Sequence, residues 1–190
     1  MSRRIAQGVR AASRRRSGGS PPAAISFVGS DIFAQVGTVI DLTPPAHQAN
    51  DIMIAKATLS RSGSTFLNAS YPGWTILYDE NTGLTKGAMM SRVIYRIATS
   101  SAETIPTFEA NQSGNTAGTL LVYRGVDTTT PFIDHGVIDE TTSQTGHTGP
   151  SLDNTDSNAW GVFLGAARQV VTPLSWSLGS GLSSMREMQD

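Results

Sequence analysis

Residues 88–98 read AMMSRVIYRIA. Met89, Ser91, Val93, Tyr95 and Ile97 fall on one side of an extended chain, and Met90, Arg92, Ile94, Arg96 and Ala98 on the other. The repeat is two residues rather than 3.6, which predicts a β-strand. Arg92 and Arg96 predict that their face is partly wet. Working outward, DIMIAKATLS at 51–60 predicts a longer strand whose first half is buried on both faces. Residues 117–126, AGTLLVYRGV, predict another, closed by a break at Thr128–Pro131. AWGVFLGAA at 159–167 predicts a buried strand, with Trp160, Val162, Leu164 and Ala166 on one side and Phe163 on the other. Shorter strands are expected at 25–28, 38–42 and 74–79. The polar runs 111–116 and 139–158 read as turns and loops. Short strands separated by Gly, Pro and Asn, with no helical period in the body, predict an all-β antiparallel sandwich of roughly eight to ten strands over 24–190.

The composition agrees. Of 190 residues, 38% are hydrophobic and 15% charged, with 19 Gly and 9 Pro. That is turn-rich, yet too apolar for disorder throughout. There is no Cys, so disulfides, thiolate zinc sites and a thiol nucleophile are excluded. Their absence fits assembly in a reducing host cytoplasm. No apolar run approaches a membrane span, and no apolar stretch of the kind found in secretory signals follows the N-terminal arginines.

Residues 1–23 read as a separate basic arm and hinge. Arg3, Arg4, Arg10, Arg14, Arg15 and Arg16 put about +6 there with no acid, leaving 8 of the 14 Lys and Arg against all 15 acids in the remainder, about −7. Ile5 and Val9, four apart, suggest a short amphipathic helix, and Ser17–Pro22 would break it. Such an arm could neutralise phosphates, but it has no aromatic residue for base stacking, which disfavours nucleic acid. It also has the Arg- and Ser-rich, acid-free character of a transit peptide. The preferred reading is an anchor extending from the body, up to ~65–70 Å long when fully drawn out, that orders on an acidic partner through Arg3, Arg4, Ile5, Val9, Arg10, Arg14, Arg15 and Arg16. On that reading, deleting residues 1–20 should leave the body folded.

The order DIMIA (51–55), PGWT (72–75), YRIAT (95–99), AGTLLVYRGVD (117–127), HTGPSL (147–152) and AWGVFLGAA (159–167) resembles a β-sandwich module, immunoglobulin-like or jelly-roll-like, of bacteriophage tail, fibre or capsid-associated proteins and bacterial surface proteins. The resemblance covers about 24–190. It implies a non-enzymatic virion structural protein: a decoration, tail-associated or fibre-anchoring subunit. Its partners would be portal, tail or capsid subunits, in multiple copies or as a homo-oligomer, with no cofactor.

Rival readings rest on single residues. Trp176, in the polar stretch PLSWSLGSG, is the best candidate for a glycan contact and so for a carbohydrate- or receptor-binding module; Trp74 reads as core. Arg124-Gly125-Val126-Asp127 reads as a sharp corner, with Arg124 pairing with Asp127 or bracing a loop. His47, His135 and His147 lack metal-site spacing, and Asp153, Asn154, Asp156 and Asn158 read as turn formers before calcium ligands. A hydrolase would need Asp134 and His135 to meet a Ser, and no G-x-S-x-G occurs. No catalytic residue and no metal ligand is expected.

Overall fold

The computed structural model describes residues 4–11, 24–80, 89–140, 149–152 and 158–167. Among them are eight strands and no helix: β1 (Arg4–Ala11), β2 (Ser26–Ile40), β3 (Ile52–Ser60), β4 (Thr75–Glu80), β5 (Met89–Ile97), β6 (Phe108–Arg124), β7 (Phe132–Glu140) and β8 (Trp160–Ala167). All pair antiparallel, in a five-stranded sheet of order β2-β6-β3-β5-β4 and a three-stranded sheet of order β7-β1-β8.

β3 is the central strand. It pairs without a bulge to β5, from Ile52↔Ile97 to Ser60↔Met89, and to β6, from Ile52↔Tyr123 to Ser60↔Asn115. Its side chains alternate between two cores. Met53, Ala55, Ala57 and Leu59 enter one; Ile52 and Ile54 enter the other. Burial on both faces is why the run is apolar rather than alternating. The first core is roofed by the chain's own excursions, with Leu42, Phe66, Tyr71, Trp74 and Ile105 lying over Met90, Ile94, Leu120 and Val122. The second is the seam between the sheets. There Val162 and Leu164 of β8 and Phe132 of β7 pack on Ile52, Ile54, Val93, Leu121 and Tyr123. Two ring pairs cross this seam, Tyr95–Phe132 at 4.7 Å and Tyr123–Trp160 at 6.1 Å. Each fully buried aliphatic side chain contributes about 1.5–3 kcal/mol.

Several expectations change. Residues 26–40 form one long strand, not two short ones, because β2 keeps its ladder to β6 through two register shifts, at Phe27/Gly29 and Gly37/Val39. β2 is an edge strand and leaves Ile32 and Val36 exposed. The polar run 111–116 belongs to β6 rather than to a turn. Its side chains serve the loop before Trp74: Asn111 Oδ1 accepts from Thr65 N at 2.8 Å and from Ser64 Oγ at 3.1 Å, and Gln112 Nε2 donates to Gly63 O at 3.0 Å. Trp160 was expected in the core but remains 43% exposed, since its indole meets Tyr123 at the rim of the seam.

The N-terminal segment is extended, but Arg4–Ala11 is neither helical nor outside the sandwich. It is the middle strand of the small sheet, with Ile5 opposite Asp139 and Ala166 and Val9 opposite His135 and Val162. An extended eight-residue strand with neighbours on both sides satisfies its backbone polar groups better than a helix of two to three turns. Deleting residues 1–20 would therefore uncover the facing edges of β7 and β8.

Candidate functional site

Among the described residues, the ion pairs form three internal braces. Arg92, on β5, projects into the first core and is 1% exposed. It was read as wetting its face. Instead its fork grips Asp79 of the neighbouring β4, with Nε to Oδ1 at 3.0 Å and Nη2 to Oδ2 at 2.7 Å. Nη1 donates to Tyr71 Oη at 3.1 Å and to the Asn68 carbonyl. The guanidinium also lies over the rings of Phe66 and Tyr71, 5.0 and 5.6 Å from their centroids. A planar fork with five donors can satisfy a carboxylate, a hydroxyl and a carbonyl at once, which a lysine cannot. Burial pushes the Tyr71 hydroxyl's pKa up against the opposing pull of Arg92.

The second brace joins Asp51, just before β3, to Arg124 at the end of β6. Arg124 Nε and Nη2 each reach a carboxylate oxygen at 2.8 Å, and Gln48 N donates to Oδ2 at 2.9 Å. Burial alone would raise the Asp51 pKa. The bonds from Arg124 and Gln48 and the Arg124 charge overcome it and leave the carboxyl below its usual value. Arg124 thus pairs with Asp51 rather than with Asp127, which accepts from the main chain of Thr129 at 2.8 Å. The corner itself is as read: Gly125 has φ of 82°.

The third brace links two loops and the end of β5 at the same end of the sheet. Glu103 accepts from Thr99 Oγ1 at 2.6 Å and Thr99 N at 2.7 Å, and meets Arg96 at 2.9 Å. The Thr99 hydroxyl bond leads the effects that hold its pKa below the ordinary value, against burial. The main-chain N–H of Glu103 donates to His47 Nε2 at 3.1 Å, so the ring proton sits on Nδ1 and donates to Pro45 O at 2.8 Å. Both imidazole nitrogens are therefore engaged with main chain.

One buried cation stands apart. Lys56, in the middle of β3, points into the seam and donates to Leu164 O of β8 at 2.8 Å. Burial pushes its pKa down to about 7. It is 3% exposed, and no carboxylate pairs with it among the described residues. A near-neutral amine is the raw material of base or nucleophile chemistry. Here apolar walls keep it from solvent, and its one bond ties the two sheets together. The signal was present in IMIAKATLS, where a lysine interrupts a run buried on both faces.

Of the residues singled out in the sequence, Arg4, Ile5, Val9 and Arg10 lie on β1; Arg3, Arg14, Arg15, Arg16, Trp176 and residues 153–157 lie outside the described residues. Trp74 is buried in the first core, as read. Asp134 and His135 are consecutive on β7, so their side chains leave opposite faces and do not form a side-by-side dyad. No cluster of three or more metal-ligating side chains occurs among the described residues. No family model matches the chain, and neither the curated proteins nor the solved structures give a match.

Proposed function

We propose that the protein is a non-enzymatic structural subunit of a bacteriophage particle, present in many copies among portal, tail or capsid subunits. The single observation that carries the non-enzymatic part is the use of its withdrawn charges. Asp51, Asp79 and Glu103 are each taken up by an arginine of the same chain, and each brace fastens a loop or a neighbouring strand. Groups paired in this way stiffen a scaffold rather than present a free acid or base side chain. The virion setting rests on the resemblance of the strand-and-turn segments and on the basic N-terminal region preceding an acidic body.

Because β1 belongs to the small sheet, the docking charge is assigned to Arg14, Arg15 and Arg16, which follow it in sequence. Many weak contacts of this kind, repeated around a particle, add through avidity. The test is replacement of Arg14, Arg15 and Arg16 by Glu. The variant should keep the wild-type circular dichroism spectrum and be lost from purified particles. Wild-type incorporation of a folded variant would overturn the docking role.

A further inference from the structure

We propose that the slot between β7 and β8 takes β1 from a second copy of this chain, so that copies become linked by exchanged N-terminal strands. The small sheet has an unusual dependence on its middle strand. Among the described residues β7 and β8 do not pair with each other, and every ladder in this sheet runs through β1. β1 joins no ladder of the five-stranded sheet. The slot is therefore completed by eight residues that any copy can supply.

Three features favour a second copy as donor. The chain order comes first: β1 is the first described strand and its two mates are the last two described, with the whole five-stranded sheet between them. A nascent or refolding chain holds an unpaired β1 until β7 and β8 exist, and a completed slot nearby competes for it. The tether comes second. Residues 12–25 separate β1 from β2 and include Gly18-Gly19 and Pro21-Pro22. Fourteen residues span up to about 45–50 Å, enough to pass from one small domain to its neighbour. The register comes third. Arg4 stands opposite Glu140, and Ile5 opposite Asp139, so the basic start of β1 runs along the acidic end of β7.

Self-insertion has the advantage in dilute solution, because a tether of this length gives an effective concentration on the order of 1 mM. Exchange prevails where copies are crowded or folded together, which is the usual condition for domain swapping. The inference does not depend on a virion role.

The chain has no cysteine, so single cysteines report cleanly. Val9 faces Val162 across the β1–β8 ladder. Two full-length proteins, one Val9→Cys and one Val162→Cys, are unfolded together, refolded at high concentration and oxidised. Neither can close a disulfide within itself. A covalent heterodimer at least about tenfold above that from Val9→Cys mixed with Thr104→Cys is expected, Thr104 being exposed and off the ladder. A chain carrying both Val9→Cys and Val162→Cys serves as the second measurement. If it closes internally while the mixed pair gives no heterodimer, each slot is filled only by its own strand and the proposal fails. It fails equally if neither pair cross-links.

Discussion

Removing the Arg92 side chain leaves three partners behind: the Asp79 carboxylate, the Tyr71 hydroxyl and the Asn68 carbonyl. Arg92→Met should therefore cost about 3 kcal/mol, near the low end for breaking a buried pair because Asp79 still touches water. Urea denaturation measures it; a loss below about 1 kcal/mol would mean that the partners rehydrate freely. Lys56 sets the pH response. Its folded pKa lies near 7, well under the ordinary lysine value, so between those limits the unfolded chain holds more protons than the folded one. Stability should rise with pH across that window, by up to about 1.4 kcal/mol per unit, and should gain nothing from this group below it. Lys56→Met should flatten the rise, which urea midpoints at pH 7 and pH 9 would reveal; an unchanged slope would contradict the assignment. Asp51 and Glu103 act on the acid side. Their pKa values are lowered on folding, so their stabilisation is present above the ordinary carboxylate range and fades as pH falls through the lowered values.

β6 depends on a glycine where β2 curls over it. A Cβ on Gly118 would sit 2.5 Å from Ile40 Cγ2 and 3.3 Å from Leu42 Cδ2. Gly118→Ala should destabilise by about 1–3 kcal/mol through overpacking, seen as a lowered melting temperature, and should cost less in an Ile40→Ala background, where the clashing Cγ2 is gone. The same strand marks how far the sequence could be read. β3, β5 and the second half of β6 were legible because their apolar residues recur at every second position or run unbroken. The middle of β2 was not, because an edge strand carries a mixed surface that looks like loop. β7 was missed for a related reason: FIDHGVIDE sets polar residues beside apolar ones without a clean period. Asn111 and Gln112 carry turn-forming side chains, yet their bonds go to a loop about 47–49 positions away. The braces were hidden by the same distance, since Arg124 finds Asp51 across 73 positions and nothing local announces it. The pairing of β1 between the last two described strands had no local signal at all.

Both cores share one sheet, so the molecule should lose them together. β3 lines the roofed core with one set of side chains and the seam with the other, and neither can dissolve while the opposite face stays packed. In each of two single-tryptophan variants, keeping only Trp74 or only Trp160, the fluorescence midpoint in urea should therefore coincide with that variant's own circular dichroism midpoint. Midpoints that separate would show that the small sheet detaches first. A different outcome follows from the flank formed by β2. Fifteen residues of backbone end the large sheet there, with Ile32 54% and Val36 75% exposed, and no described strand covers the outer side. Its two register shifts twist that border and blunt it only in part. Concentrated stocks held warm should grow turbid well below the melting point, by side-on stacking of intact molecules. Ile32→Lys should keep them clear while leaving the melting temperature where it was.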